Sequence, residues 1–196
     1  MAAATATVRS ADAVVELRVA HTAELDAREL TAARALLDRV FGDELDDSDW
    51  EHALGGMHAL AYARGGGADV LVGHASVIQR RLIHDGRALR AGYVEGVGVD
   101  ARWRRRGVGT LLMDAIEDVI RKAYDLGGLG STDDGIPFYA SRGWRLWRGD
   151  SWALTPGGVI RTAEADGAIF VLPVAGGAEL ALDGALTADW REGDQW

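Results

Sequence analysis

The sequence contains no cysteine, and this absence excludes both disulfide bonds and thiolate catalysis. Proline is scarce, with three residues in 196, which is too few for a proline-rich linker between domains. No apolar run reaches the length of a transmembrane helix, and the first residues lack the basic and apolar regions of a signal peptide. We therefore expect a cytoplasmic protein with no membrane partner, in which residues 1–13 form a flexible tail.

The chain is acidic, with a net charge of −9 and a pI of about 5.0. This charge argues against generic binding to nucleic acid, so we expect no nucleic-acid partner. A composition of 48% hydrophobic and 26% charged residues is that of a globular protein, and we expect residues 14–196 to form a single domain. One basic turn, Arg102–Arg106, suits an anion, whereas the acid-rich segments suit a cation.

The hydrophobic periodicity predicts mixed α and β structure. Two amphipathic helices are predicted over Asp26–Phe41 and Val108–Leu126, with short helices around Trp50, where Ser48 is a possible cap, and over Pro137–Ser141. Short turns between the strands favour antiparallel pairing. Strands are predicted over Val14–Val19, Gly56–Ala63, Val70–Ile78 with a continuation to Ile83, Leu89–Val99, near Leu129, Trp144–Leu154 and Ile169–Pro173.

The most informative stretch joins the end of a strand to a basic turn and the start of a helix. Glycines let backbone amides approach an anion, arginines neutralise its charge, and the helix N-terminus adds free N–H groups. This order predicts a pyrophosphate site. Its candidate residues are Arg104, Arg105, Arg106, Gly107, Val108, Gly109 and Thr110.

The spacing Arg104-x-x-Gly107-x-Gly109 resembles the acyl-coenzyme A signature of the GCN5-related N-acetyltransferase (GNAT) superfamily. A second motif, Phe138–Trp144, follows at the separation found in that superfamily, and the resemblance covers roughly residues 14–155. Further strings resemble the aminoglycoside 2′-N-acetyltransferases over nearly the whole chain. These are Asp49–His52, Leu54–Leu60, Ile78–Ile83, Gly92–Val97, Tyr139–Trp144, Phe170–Pro173 and Asp189–Trp196.

This resemblance implies an α+β GNAT fold, in which a twisted, mixed and mostly antiparallel sheet is flanked by helices and splayed where acetyl-CoA binds. It implies direct transfer of acetyl from acetyl-CoA to the 2′-amine of an aminoglycoside, which confers resistance. Val97–Val99 would bond the pantetheine arm, with Gly98 at a bulge, and the amides of Arg106 to Thr110 would hold the pyrophosphate. A homodimer is also implied, and Ile169–Val174 is apolar enough to pack in its interface.

The acceptor amine is mostly protonated near neutral pH, so the reaction needs a base. Glu95 is the candidate, because an extended strand places Glu95, Val97 and Val99 on one face and the resemblance assigns the position this role. The alternative is a solvent-facing strand carboxylate. Tyr139 is the candidate acid for the leaving thiolate, and its alternative is a core aromatic residue whose hydroxyl finds a partner.

An aminoglycoside is a polycation, so its recognition needs convergent carboxylates. By the resemblance, Asp43, Asp49, Glu95, Asp194 and the carboxylate of Trp196 contact the drug. Any one of these acids could instead be an ordinary surface charge. Asp46 and Asp47 are expected to be solvated, and a contact from the Thr162–Gly167 loop stays open.

The histidines show no metal-ligand spacing, so we expect no metal and assign supporting polar contacts to His58 and His74. Two other functions stay open. One is a GNAT acetyltransferase for another small amine, such as a polyamine, a peptide terminus or a cell-wall amino sugar. The other is a non-catalytic sensor that binds acetyl-CoA or a cationic ligand.

Overall fold

The computed structural model describes residues 7–10, 13–65 and 69–196. Its helices are α1 (Ala27–Phe41), α2 (Asp47–His52), α3 (Val108–Ala123) and α4 (Ile136–Ser141). Its strands are β1 (Thr7–Ser10), β2 (Ala13–His21), β3 (Met57–Arg64), β4 (Val70–His84), β5 (Arg87–Val99), β6 (Leu126–Gly130), β7 (Arg145–Leu146), β8 (Ser151–Thr155), β9 (Gly158–Arg161), β10 (Ile169–Pro173) and β11 (Leu186–Ala188).

The contacts divide the chain into two compact units. Unit 1 holds residues up to Ile78 and Glu95–Asp118, and unit 2 holds Gln79–Val94 and Val119–Trp196. Strands β4 and β5 and helix α3 therefore each contribute residues to both units. The prediction of one domain over residues 14–196 stays a prediction.

In unit 1, strands β1, β2, β3 and β4 pair antiparallel in chain order. Helix α1 begins after Asp26, whose carboxylate accepts hydrogen bonds from the backbone N–H groups of Arg28 and Glu29. This N-cap satisfies amides that have no partner within the helix. The buried face of α1, with Ala33 and Leu36, joins an apolar cluster with residues of β2, β3 and β4.

Helices α1 and α3 cover opposite faces of β4. A Cβ atom at Gly73 would lie 2.8 Å from Val108 and 3.0 Å from Leu112, both on α3. The next residue, His74, faces the other side, since successive strand residues alternate. There the His74 ring lies beside Gly96, which in turn contacts Leu37 of α1. The sheet of this unit is therefore flanked by helices, as expected.

In unit 2, the first part of β5 runs parallel to β6, and this pairing spans Ala91–Tyr93. Strand β10 pairs antiparallel with β6 on one side and β7 on the other. Strand β11 runs parallel to β8 and antiparallel to β4, and β8 pairs antiparallel with β9. The predicted mixed, mostly antiparallel sheet of an α+β protein is confirmed.

Three expectations from the sequence need correction. Within the expected tail, Thr7–Ser10 forms a strand that pairs with β2, a long-range pairing that amino-acid composition does not predict. Residues 1–6, 11 and 12 lie outside the described residues. The single strand predicted over Trp144–Leu154 is two strands, β7 and β8. The apolar run of β10 is buried within its own unit, with Val171 at 0% exposure, so its apolarity does not require a dimer interface.

Candidate active site

The strand that carries Glu95 changes conformation at the following residue. Gly96 has a φ of +57°, in the left-handed region that glycine adopts without strain. A Cβ atom at Gly96 would lie 3.0 Å from the Leu37 side chain, and one at Gly98 would lie 2.8 Å from it. Both glycines therefore let β5 approach α1 closely. The bulge expected at Gly98 stays a prediction; Gly98 packs closely on Leu37, whereas the left-handed backbone lies at Gly96.

This left-handed residue also limits the argument that placed Glu95 on the same face as Val97 and Val99. The alternation of side chains requires extended backbone throughout, and Gly96 interrupts it. Gly96 and Gly98 do share the face that packs on Leu37. Glu95 itself is half-buried, and its role as the base stays a prediction.

Two buried polar side chains of β4 bond the carbonyls around this turn. The Ser76 hydroxyl donates to the Glu95 carbonyl at 3.2 Å, and the His74 Nδ1 atom lies 2.7 Å from the Gly96 carbonyl oxygen. His74 Nε2 in turn lies 3.0 Å from Nδ1 of His58. The supporting polar contacts expected of the two histidines are confirmed.

Both histidines are fully buried, and this burial decides their charge. Desolvation lowers the pKa of His74 to about 4. Desolvation, with smaller effects from His74 and His21, also lowers the pKa of His58 to about 4. Both rings are therefore neutral near pH 7.

The basic turn begins where β5 ends. The Asp100 backbone N–H donates to the Val72 carbonyl at 2.9 Å, which ties the end of β5 to β4. The Asp100 carboxylate accepts from the Arg102 side chain, and this hydrogen bond holds the pKa of the carboxyl below its usual value. The Arg102 side chain is therefore hydrogen-bonded within the turn. Arg104 donates from Nε to the Val99 carbonyl at 3.2 Å.

The start of α3 fits an anion. Arg105 has a φ of +59° and Gly107 a φ of +83°, so the backbone turns sharply just before the helix. The Leu111 N–H donates to the Gly107 carbonyl, so the amides of Val108, Gly109 and Thr110 come before this first helical bond. Arginine side chains here are exposed. Amides and guanidinium groups together can bind a pyrophosphate.

Tyr139 lies on α4 in unit 2, at 8% exposure. Its ring packs near the rings of Phe138, Trp144 and Phe170, with centroids 5.4 to 6.4 Å apart. Burial raises the pKa of Tyr139 to about 12, so its hydroxyl keeps its proton at neutral pH. This is the protonation state that a proton donor needs.

The segment from Asp189 to Trp196 is fixed at both ends within unit 2. The Trp196 indole N–H donates to the buried Thr162 hydroxyl at 2.8 Å, and the Trp196 backbone N–H donates to the Asp194 carboxylate at 3.1 Å. A Cβ atom at Gly130 would lie 3.3 Å from the backbone C atom of Trp196. Trp196 therefore packs against the end of β6 and is 8% exposed.

Arg80, on β4, holds the other end of this segment. Its guanidinium donates to the Asp189 carboxylate at 2.9 Å, to the Asp189 carbonyl at 3.0 Å and to the Gln195 carbonyl at 2.8 Å. It also lies over the Tyr93 ring, 4.7 Å from the centroid. Sequence reasoning missed this residue, although an arginine inside an apolar strand was the available signal.

The acid-rich segment around α2 has structural work of its own. The Asp46 side chain caps α2 by accepting the Asp49 backbone N–H. The Asp49 carboxylate in turn accepts the Asp46 backbone N–H at 3.0 Å, which completes a capping box. Ser48, which was considered as the cap, donates instead to Asp46. Asp46 is exposed, as expected, and it also caps the helix. Asp43, in the turn Gly42–Glu44, is exposed.

The Thr162–Gly167 loop is tied to β8 through one acid. Asp166 pairs with Arg161 and accepts from the Ser151 hydroxyl at 2.8 Å. The Arg161 guanidinium lowers the pKa of the Asp166 carboxyl to about 2. Asp166 is therefore committed to the structure of the loop.

The candidate residues divide between the two units. Unit 1 carries the strand, turn and helix start together with Asp43, Asp49 and Glu95, whereas unit 2 carries Tyr139 and Trp196. Among the residues of the described ranges, no group of three or more metal-ligating side chains occurs. In the same ranges, every helix is too short or too polar to cross a bilayer.

The fold and the strand–turn–helix site define a class, the acetyl-transferring enzymes. The model of the acetyltransferase (GNAT) domain matches residues 21–147, and the chain belongs to this family. It is 46% identical to an aminoglycoside 2′-N-acetyltransferase of Mycolicibacterium fortuitum. The match extends over 181 residues and covers 91% of each chain. The predicted acyltransferase of the GNAT fold is confirmed.

Solved structures agree on the fold. A GNAT-family N-acetyltransferase (YhbS) of Escherichia coli in complex with CoA matches with a TM-score of 0.62 and 18% identity, over 93% of each chain. Escherichia coli ElaA matches with a TM-score of 0.55 and 20% identity, over 81% of this chain and 99% of ElaA. A larger GCN5-related N-acetyltransferase of Kribbella flavida matches over 69% of this chain and 34% of its own, with a TM-score of 0.53 and 21% identity.

Proposed function

We propose that this protein transfers the acetyl group of acetyl-CoA to the 2′-amino group of aminoglycosides. The observation that carries the proposal is the 46% identity to an aminoglycoside 2′-N-acetyltransferase over 91% of both chains. The acidic composition and the basic turn before α3 agree with a cationic acceptor and an anionic donor.

Acetyl-CoA supplies an activated acyl group as a thioester. The exposed arginines at Arg104 to Arg106 and the amides of Val108 to Thr110 would bind its pyrophosphate, since the turn through Arg105 and Gly107 leads directly into the N-terminus of α3. The extended end of β5, at Val97–Val99, would hydrogen-bond the pantetheine arm as an added strand does.

Glu95 is proposed as the base. It would take a proton from the 2′-ammonium, directly or through water, and so free the lone pair that attacks the thioester carbonyl carbon. The carbon–sulfur bond then breaks and the thiolate leaves, while the nitrogen loses its second proton to solvent and becomes a neutral amide. Tyr139 is proposed as the donor that protonates this thiolate, because it holds the tyrosine position of the Phe138–Trp144 motif.

Acceptor binding is proposed for Asp43, Asp49, Glu95, Asp194 and Trp196. Asp194 already accepts the Trp196 N–H, and both belong to the segment that Arg80 holds. The Asp49 carboxylate already accepts the Asp46 backbone N–H, so only its remaining lone pairs are available to the drug. Acetylation of the amine removes one positive charge from the drug, and this loss weakens its binding to anionic targets.

A homodimer is also proposed. Its support is the edge strand β9, where Val159 is 57% and Ile160 46% exposed. Light scattering after size exclusion measures the mass, and the double change Val159→Lys and Ile160→Lys is expected to give monomers. A wild-type monomer would contradict the proposal.

The direct test of function is coenzyme A release with a 2′-amino drug such as tobramycin or gentamicin, compared with a 2′-hydroxy analogue. We expect release with the first and little with the second, and product NMR that places the acetyl group on the 2′-nitrogen. Equal release with both would overturn the 2′ assignment. Release only with polyamines or peptides would favour another small-amine enzyme, and binding without release would indicate a sensor.

A further inference from the structure

The pair of buried histidines in unit 1 forms part of a hydrogen-bond chain that ends on the backbone next to Glu95. The chain runs from the Thr22 hydroxyl to His58 Nε2 at 2.8 Å, from His58 Nδ1 to His74 Nε2 at 3.0 Å, and from His74 Nδ1 to the Gly96 carbonyl at 2.7 Å.

The direction of every bond in this chain follows from its last member. A carbonyl oxygen only accepts, so His74 must carry its proton on Nδ1. A neutral His74 then has a bare Nε2, which requires His58 to donate from Nδ1. His58 Nε2 is therefore an acceptor and receives a hydrogen bond from the Thr22 hydroxyl. The Thr22 hydroxyl also lies 3.2 Å from the Gly56 carbonyl oxygen, but that oxygen already accepts the Thr22 backbone N–H at 2.9 Å. The single hydroxyl proton therefore points to His58 Nε2, which is nearer at 2.8 Å.

These hydrogen-bond directions exclude a proton relay along this route. A relay must pass its proton to a group that can take it up and release it, and an amide carbonyl at neutral pH does neither. What the chain can do is hold the Gly96 carbonyl in place. Ser76, two residues beyond His74 on the same face of β4, holds the Glu95 carbonyl by its hydroxyl.

We propose that His74 and Ser76 are positioning residues for Glu95, and that His58 acts behind them by fixing the tautomer of His74. Regular strand pairing does not produce the left-handed conformation of Gly96 in β5. The fully buried side chains of His74 and Ser76 hold the Gly96 and Glu95 carbonyls at this point. The inference rests on the proposed role of Glu95 as the base.

The tautomers provide a test that does not depend on activity. Long-range 1H–15N spectra of histidine-labelled protein are expected to show the Nδ1–H tautomer, with a bare Nε2, for both His58 and His74 near pH 7. An Nε2–H tautomer for either ring would overturn the inference.

Kinetics provide the second test. In His74→Gln the amide nitrogen takes the place of Nε2 and the donor to Gly96 is lost, whereas in His74→Asn it takes the place of Nδ1 and the donor is kept. We expect kcat to fall at least tenfold in His74→Gln and in Ser76→Ala, with a shifted acid limb of the pH profile and little change in the KM for acetyl-CoA. His74→Asn should recover most of kcat.

The matched control is His84→Gln. His84 is as buried as His74 and lies 3.0 Å by Nδ1 from the Ala185 carbonyl, but it belongs to unit 2. It should lose thermal stability and keep kcat. A kcat within twofold of wild type in His74→Gln, or an equal loss of kcat in His84→Gln, would refute the positioning role. A wild type that releases no coenzyme A with any aminoglycoside would refute the proposed function instead, and the tautomer test would still report on the chain.

Discussion

Replacement of Arg80 by methionine tests how the segment Asp189–Trp196 is held. Methionine keeps much of the apolar stem of arginine and removes the guanidinium, which is 3% exposed and makes three hydrogen bonds to Asp189 and Gln195. Loss of one partner of a buried ion pair costs about 3–5 kcal/mol. The Asp189 side chain is one third exposed and still accepts the Arg81 backbone N–H. We therefore use the lower limit of this range for the loss of stability.

We therefore expect Arg80→Met to lower the free energy of unfolding by about 3 kcal/mol, or the Tm by about 6–12 °C for a chain of this length. The matched control is Arg148→Met, which removes the pair with Asp183, where both side chains are more than half exposed. An ion pair this exposed contributes little to stability, because water screens it. Urea unfolding measures both variants.

The same variant also has a functional consequence. Because the segment carries Asp194 and Trp196, we expect the KM for tobramycin to rise about tenfold while the KM for acetyl-CoA stays within twofold. A loss of stability in Arg80→Met within 1 kcal/mol of that in Arg148→Met would refute the structural reasoning. An unchanged KM for tobramycin alongside a large loss of stability would show that the segment does not bind the drug.

Four further predictions follow from the site. Burial lowers the pKa of His58 and His74 from 6.5 to about 4. The unfolded state therefore binds these protons first, and the free energy of unfolding should fall as the pH drops from 6.5 towards 4. Urea titrations of His74→Asn should show a smaller fall, and an unchanged pH dependence would contradict the assignment. Glu95→Gln should lower kcat about 100-fold, most strongly at low pH, and leave acetyl-CoA affinity unchanged; an intact pH profile of kcat would rule out Glu95 as the base. Tyr139→Phe keeps the buried ring and should reduce kcat about tenfold with little change in Tm, whereas an unchanged kcat would mean that water protonates the thiolate. Arg105→Gln should raise the KM for acetyl-CoA severalfold and leave that for tobramycin unchanged, and calorimetry of coenzyme A binding would expose the opposite result.

The sequence predicts the long elements of this fold well, because each has a strong local signal. Asp26 and Gly42 mark the ends of α1, and the apolar stripe of α3 leaves no other interpretation. What it misses depends on partners distant in the chain. Strand β11 has three residues and exists because β4 and β8 pair with it, and the tail residues Thr7–Ser10 become a strand only through β2.

The site shows the same division. The strand, the arginines and the glycines are adjacent in sequence, so local chemistry predicts them. Leu37 of α1 packs on both Gly96 and Gly98, but of these two only Gly96 has a left-handed backbone. The sequence shows neither the shared contact nor the difference in backbone conformation. Likewise, His74 becomes informative only once its ring is seen to reach the Gly96 carbonyl from the neighbouring strand.

Charge counting is the weakest part of sequence reasoning here, and the structure shows why. Asp46 caps a helix, Asp166 is bound to Arg161, and Asp189 is bound to Arg80. Each of these acids is neutralised or hydrogen-bonded within the chain, so it adds little to the attraction of a polycation. Recognition of the acceptor therefore depends on fewer carboxylates than the net charge suggests, and Asp194→Asn should raise the KM for tobramycin more than Asp166→Asn does, although Asp166→Asn should cost more stability. Matched KM and urea measurements on the two variants decide this, and the reverse order of KM effects would return the Thr162–Gly167 loop to the acceptor site.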